Sequence, residues 1–170
     1  MTQIRFRSLA QFHGVEFVGL MICAYRGLFR RRGHLRGPHP SPDSALEPII
    51  QRNTTIRTLI TDEQRAQLLA NGGAHAAGQP VDPLPVVRLF TPDAHATWLL
   101  TEVDPQDGDT AFGLCDLGLG TPELNTVRLS ELASIRGPRN LPVERDLYFT
   151  ARRPLSEYVR LAQENGSITD

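Results

Sequence analysis

Three acidic residues stand where they could do chemistry together. Asp116 ends a predicted strand and Glu123 begins the next one, while Glu102 lies on the strand before them. Carboxylates at neighbouring strand ends can bind a hard cation such as Mg²⁺ or act as a general acid–base pair. Asp116, Glu123 and Glu102 are therefore candidate catalytic residues. The alternative is that these acids are solvated or accept hydrogen bonds from loop amides.

The loop between these acids supplies candidate binding residues. Gly118 and Gly120 match the start of a dinucleotide-binding fingerprint, but Glu123 stands where its third glycine belongs. We therefore interpret the two glycines as a turn. The candidate binding residues are Trp98, Gly118, Gly120 and Pro122.

The basic residues exclude several reaction classes. All 18 are arginine, and the chain of 170 residues has a formal net charge of -1. Without lysine, Schiff-base chemistry, a Walker A phosphate loop and lysine-dependent nuclease sites are excluded. The balanced charge of the whole chain gives no reason to expect a nucleic-acid or membrane partner. We expect no cofactor, apart from the Mg²⁺ that a hydrolase would use.

The cysteines and histidines indicate neither a disulfide framework nor a metal site. Cys23 and Cys115 are far apart and belong to no C-x-x-C pair, so we expect free thiols in a reducing cytoplasm. His34 and His39 have no supporting ligand at suitable spacing, and we expect no structural metal. His75 follows a predicted helix among small residues and is interpreted as a solvated loop residue.

Residues 1–57 differ in chemistry from the rest of the chain. Nine arginines and three acids give residues 1–58 a charge of +6, which leaves -7 for residues 59–170. The stretch is rich in proline and glycine, and its apolar run at 14–25 is shorter than the ~20 residues of a membrane span. Three interpretations stay open: an arm that contacts phosphates, a patch at a membrane surface, or an extension that is not native. The arm would use Arg30, Arg31, Arg32 and Arg36.

Residues 58–170 have the pattern of a compact domain with three helices. The capping-box pattern at 61–64 predicts a first helix, which the glycine pair at 72–73 is expected to end. Ser130 is expected to cap a second, short helix. Pro154 begins a last helix, with apolar residues at helical spacing, that Gly166 closes.

Five apolar and β-branched runs predict strands separated by turns. The second and third are joined by a short turn, which favours an antiparallel hairpin with Val103 opposite Thr110. Trp98 then lies opposite Cys115. We expect an α+β fold, a mainly antiparallel sheet of about five strands with two or three helices packed on it. The predicted strands are Val86–Phe90, Thr97–Val103, Thr110–Leu117, Glu123–Arg128 and Asp146–Thr150.

Several of these segments resemble one bacterial family. LITDEQRAQLLANG, DPLPVVRLFTPDAHATWLLTEVDP, LPVERDLYF and above all FGLCDLGLGTPEL are similar to the domain of unknown function 2958 (DUF2958) family, over residues 58–168. The resemblance implies a small cytoplasmic protein of the kind often encoded on plasmids and integrative elements, and it implies no reaction. Its recurring residues, to which it assigns no role, are Trp98, Glu102, Gly113, Asp116, Gly118, Gly120, Pro122 and Glu123.

Two function classes stay open. The first is a non-enzymatic accessory domain of a mobile element, because the sequence shows no complete catalytic constellation. For such a domain a protein partner is favoured over nucleic acid, since the folded part is acidic. The second is a carboxylate-dependent hydrolase, assisted by Mg²⁺ and built on Asp116, Glu123 and Glu102. We expect a cytoplasmic protein without a membrane partner in both cases.

Overall fold

The computed structural model describes residues 59–79 and 82–169, and the structural statements below concern those two ranges. The basic extension with Arg30, Arg31, Arg32 and Arg36 lies outside the described residues, as does Cys23. Within the two ranges, no helix has the length and apolar character that crossing a bilayer requires.

Three helices and five strands make up the described part of the chain, and the strands form one sheet in the order β4-β3-β2-β1-β5. Every neighbouring pair is antiparallel, which confirms the predicted α+β class. The second and fourth strands have the predicted bounds, and the first and third are each one residue shorter. In chain order the elements are α1 (Asp62–Ala76), β1 (Val87–Phe90), β2 (Thr97–Val103), β3 (Thr110–Asp116), β4 (Glu123–Arg128), α2 (Leu129–Ser134), β5 (Glu144–Arg145) and α3 (Leu155–Asn165).

A β-bulge interrupts the pairing of β2 with β3. The predicted register is correct over the first half of β2, where Trp98 lies opposite Cys115, and then shifts by one residue. Val103 therefore lies opposite Ala111, and its predicted pairing with Thr110 is wrong. The reason is one extra residue on β2 between paired positions, a feature that apolar patterning does not reveal.

Helix α1 packs closely against β2. The Asn71 side chain donates to the carbonyl oxygen of Thr101 at the bulge (2.7 Å). A Cβ atom on Gly72 would lie only 2.0 Å from the carbonyl oxygen of Val103, whereas one on Gly73 would meet nothing within 4 Å. The prediction that the two glycines end the helix is wrong. Gly72 is instead the position that lets the helix approach the strand.

Side chains stabilise the N-termini of the helices, some from within the same helix start and some from distant parts of the sequence. Helix α1 begins with the predicted capping box of residues 61–64, and both of its hydrogen bonds are present. At α2, Asp109 accepts from the amide (2.9 Å) and the hydroxyl (2.7 Å) of Ser130. The prediction that Ser130 is itself the cap is wrong, because it lies inside α2 and acts as a donor. Asp82 accepts in the same way from Ser156 in the first turn of α3 (3.0 and 2.5 Å).

The sheet has apolar side chains on both faces. On one face Leu99 and Leu114 pack beneath α3, which confirms the predicted apolar side of that helix. The helix ends at Gly166 in a left-handed conformation, as predicted. Because side chains alternate along a strand, Trp98 points to the opposite face. The helix residues in this contact are Leu155, Tyr158 and Ala162.

Strand β5 is shorter than predicted and begins earlier. It pairs with β1 through Glu144 and Arg145, and the predicted strand over Asp146–Thr150 is wrong. The physical reason is the Asp146 carboxylate, which accepts from the amide of Tyr148 (2.9 Å). This Asx turn directs the chain away from the sheet, and residues 146–153 follow without regular structure.

Candidate functional site

A cleft of about 680 Å³ opens at one end of the sheet, on the face that carries α3. Phe90, Thr97 and Asp116 line it, and they are cross-strand neighbours on β1, β2 and β3. Their side chains therefore share a face with Leu99, two residues along β2. The helix covers Leu99 but not this last row, so the cleft begins where α3 ends. The walls come from residues 91 and 94–96, Gly118 and Gly120, Asp146, and residues 166–168.

Asp116 ties two walls of the cleft together. It is 4% exposed, and one of its carboxylate oxygens accepts from the amide of Gly118 (2.8 Å). The other oxygen accepts from the amide of Ile168 (3.0 Å), just beyond α3. Both oxygens are thus held by backbone donors. In this structure Asp116 fixes the positions of the β3–β4 loop and the segment after α3.

The predicted turn after β3 is confirmed, and it requires glycine. Gly118 has a φ of +73°, and a Cβ there would lie 2.7 Å from the Cβ of His95. An L side chain would be strained in that backbone conformation and would also press on the neighbouring loop. Gly120 has a φ of +80° as well. The β3–β4 loop therefore contacts the β1–β2 loop and closes one side of the cleft.

Arg88 and Asp146 bring opposite charges to the cleft. A guanidinium nitrogen of Arg88 lies 4.0 Å from a carboxylate oxygen of Asp146. The Asp146 amide also donates to the Arg88 carbonyl oxygen (2.9 Å), which continues the pairing of β1 past β5. Sequence reasoning did not place Arg88 in the site. The available signal was a charged residue inside an apolar strand, VVRLF, where alternation puts it on the partly covered face.

Two leucines are exposed where loops border the cleft. Leu119, between the lining residues Gly118 and Gly120, is 76% exposed, and Leu147, next to the lining residue Asp146, is 72% exposed. Both leucines therefore add apolar surface next to residues that line the cleft.

The model of one protein family, described as a protein of unknown function (DUF2958), matches residues 59–169. The chain belongs to the DUF2958 family. The match covers every helix and strand described above and confirms the resemblance seen in the sequence. No curated protein and no solved structure matches the chain.

The DUF2958 domain does not bring the three candidate acids together. Glu123 lies opposite Cys115 on the neighbouring strand, so its side chain is on the face opposite to that of Asp116. Glu102 lies toward the other end of β2. Over residues 59–79 and 82–169, no group of three or more His, Cys, Asp or Glu side chains is arranged to hold a metal ion.

The candidate binding residues divide between the cleft and the protein interior. Gly118 and Gly120 line the cleft. Trp98 is buried among core side chains on the opposite face, and Pro122 is buried at the start of β4. Two of the four therefore lie where a ligand could reach them.

Glu102 forms a hydrogen-bonded contact with His75 outside the cleft. It is 7% exposed, and both of its carboxylate oxygens lie near Nδ1 of His75 (2.8 and 3.0 Å). His75 lies in the last turn of α1, so its interpretation as a solvated loop residue is wrong. The pair connects the end of α1 to β2. Local sequence gives no sign of it, because the two residues are 27 positions apart.

Cys115 is a buried free thiol. Burial raises the pKa of the Cys115 thiol to about 12, and the negative charge of Glu123 acts in the same direction. The thiol is therefore protonated at neutral pH. Because the thiolate is the nucleophilic form, this cysteine is inert.

Proposed function

We propose that the DUF2958 domain is a non-enzymatic binding module that holds a segment of a partner protein in the cleft. The observation that carries the proposal is the position of Leu119 and Leu147, which border one 680 Å³ cleft from two different loops. Apolar surface gains roughly 25 cal/mol per Å² when a partner removes it from water. A partner segment that covers both leucines would be held on two sides of the cleft entrance.

The polar lining of the cleft supports recognition of a specific segment. Arg88 and Asp146 place charged side chains in the lining, and His95 is exposed at the β1–β2 loop. Binding sites commonly combine apolar contact area with a few polar groups that fix the orientation of the ligand. We expect the partner segment to present apolar side chains to the leucines and polar groups to Arg88 and Asp146.

The state of the candidate catalytic groups supports binding over catalysis. Both oxygens of Asp116 accept from backbone amides, which links two walls of the cleft. Cys115 keeps its proton at neutral pH. The Asp116 carboxylate is thus engaged in structural hydrogen bonds, and Cys115 lacks the thiolate that a nucleophile needs.

The charge of the domain supports a protein segment over nucleic acid as the occupant of the cleft. Residues 59–170 carry a formal charge of -7, which repels a phosphate backbone. We place the partner among proteins of plasmids and other mobile elements, and in the cytoplasm, on the strength of the family resemblance alone.

Photo-crosslinking in the native cell tests the proposal. Benzoylphenylalanine replaces Leu119 in one variant, Leu147 in a second and Gln67, on the exposed side of α1, in a third. We expect one adduct of the same protein partner at both leucine positions and none at Gln67. Equal adducts at all three positions, or none at the two leucines, would contradict a partner in the cleft.

The alternative function, a Mg²⁺-assisted hydrolase that uses Asp116 and Glu123, has its own readout. A bound cation would raise the melting temperature of the full chain. We expect millimolar Mg²⁺ to leave the melting temperature unchanged. A rise that Glu123→Gln abolishes would favour the hydrolase.

A further inference from the structure

A second cavity, of about 470 Å³, lies between the irregular segment 146–153 and the start of α3. Three aromatic rings and two guanidinium groups dominate its lining. Its volume lies in the range of ~300–1,000 Å³ that is usual for small-molecule sites. The residues that supply these groups are Tyr148, Phe149, Tyr158, Arg152 and Arg153.

The aromatic side of this cavity has a fixed part and an open part. The rings of Phe149 and Tyr158 are in tilted contact, with centroids 6.5 Å apart. The Tyr158 hydroxyl also accepts from the amide of Arg152 (3.4 Å), which joins the segment to the helix. Tyr148 is 93% exposed. The Asx turn at Asp146 fixes the backbone at Tyr148. The exposed ring of Tyr148 therefore lies beside the packed rings of Phe149 and Tyr158.

The two guanidinium groups of the cavity form no direct ion pair in the described part of the chain. Within the described part of the chain, neither Arg152 nor Arg153 makes a side-chain hydrogen bond or an ion pair within 4 Å, although the charge of Arg153 contributes to the lowered pKa of Glu157. The nearby acid Glu157 is held by Arg160 (2.7 and 3.1 Å). Asp146 also lines the cavity, but its carboxylate accepts from the Tyr148 amide. Both guanidinium groups are therefore available to an anion.

We propose that this cavity binds a nucleotide unit, with the base stacked on Tyr148 and the phosphate held by Arg152 and Arg153. An aromatic face accepts a base without sequence preference, and the planar guanidinium matches the geometry of phosphate oxygens. The unit could belong to a free mononucleotide or to a single-stranded nucleic acid, which share this chemistry. This cavity shares Asp146 with the protein-binding cleft proposed above, but its aromatic and guanidinium groups do not line that cleft.

Two probes distinguish the sources, and both are used with the full chain. The first is AMP, followed by backbone amide NMR shifts, and the second is a short fluorescein-labelled oligoadenylate, followed by anisotropy. We expect AMP to shift the amides of Leu147–Arg153. We also expect Tyr148→Ser and Arg152→Gln each to weaken binding about tenfold. Both side chains are exposed, so the variants keep the fold.

Arg139→Gln is the matched control. Arg139 is exposed on another surface and does not line the cavity, so its replacement leaves the affinity unchanged. Displacement of the oligonucleotide by AMP identifies a free nucleotide as the source, and binding of the oligonucleotide alone identifies a single strand. Equal affinity in all three variants would overturn the proposal, because the basic extension would then be responsible for binding. Displacement by inorganic phosphate as readily as by AMP would overturn it too, because the rings would then contribute nothing.

Discussion

Two buried carboxylates, Asp116 and Glu102, have different partners. Asp116 accepts from backbone amides at the cleft, whereas Glu102 pairs with the imidazole of His75. The sequence predicted both as candidate site residues because carboxylates on neighbouring strands can bind a cation or act in acid–base chemistry. It could not reveal the partners, because Ile168 lies 52 positions from Asp116 and His75 lies 27 positions from Glu102. Strand pairing and helix packing decide which groups meet.

Replacement of His75 tests its hydrogen-bonded contact with Glu102. His75→Ala leaves the carboxylate of Glu102 buried without its partner, and we expect a loss of about 1.5–3 kcal/mol in the free energy of unfolding. Urea denaturation measures it. The matched control is His95→Ala, which removes an exposed ring and is expected to change stability little. An equal effect of the two substitutions would argue against the pair.

Cys115 makes the fold sensitive to alkali. Burial raises the pKa of the thiol from 9.0 to about 12, so the folded state keeps its proton where the unfolded state loses it. The stability this provides is complete below pH 9 and is lost as the pH rises toward 12. We expect the unfolding free energy to fall by up to ~1.4 kcal/mol per pH unit in this window.

Cys115→Ala is the reference for that measurement. The variant lacks the thiol, so the contribution of Cys115 to the slope of unfolding free energy against pH should vanish. We expect the variant to be less stable than the original protein at the start of the pH range. Equilibrium unfolding of the two proteins from pH 8 to 10.5 gives the difference. Parallel curves would show that the thiol does not titrate in this way.

At the scale of elements, the strands of the hairpin could be predicted and the exceptions have local causes. The residue patterns of β2 and β4 predicted the correct bounds of both strands. The predicted run after Asp146 failed because its carboxylate forms an Asx turn with Tyr148. The end of α1 was predicted wrongly because a glycine pair is typical of a helix terminus. In this helix Gly72 instead allows close contact with β2.

The glycine pair in α1 offers a matched test of that contact. Gly72→Ala would place a Cβ 2.0 Å from the carbonyl oxygen of Val103, and we expect it to destabilise the fold by about 1–3 kcal/mol. Gly73→Ala meets open space in the same helix and is expected to stabilise by about 0.5–1 kcal/mol. Thermal unfolding compares them. The packing account fails if both substitutions have the same sign.

At the scale of the whole molecule, the cleft results from the length of one helix. The 11 residues of α3 cover Leu99 and Leu114, but the helix does not extend over the row of Phe90, Thr97 and Asp116. Its walls come from four separate stretches of chain. The sequence predicted the part of the cleft lining that lies in one stretch, around Gly118. It did not predict Arg88, because the sheet register brings this residue to the cleft.

The boundary at residue 58 stays a prediction that truncation can test. Leu59 and Ile60 are buried and belong to the core, so a fragment of residues 58–170 keeps every described core side chain. We expect it to be soluble and to unfold cooperatively, with circular dichroism that indicates the same helices and sheet. A fragment that starts at Thr61 loses two buried side chains, worth ~1.5–3 kcal/mol each, and should be clearly less stable. If the 58–170 fragment is unfolded while the full chain is not, the domain needs its extension.

Hydrogen exchange of the full chain, with and without the captured partner protein, tests the central claim most directly. If the cleft is the binding site, slowed exchange should be confined to residues 91–97, 116–120, 146–148 and 166–168. The exposed side of α1 and the β2–β3 turn serve as internal controls and should exchange at the same rate in both samples. Slowed exchange over α1 or that turn, with the cleft unchanged, would contradict the account.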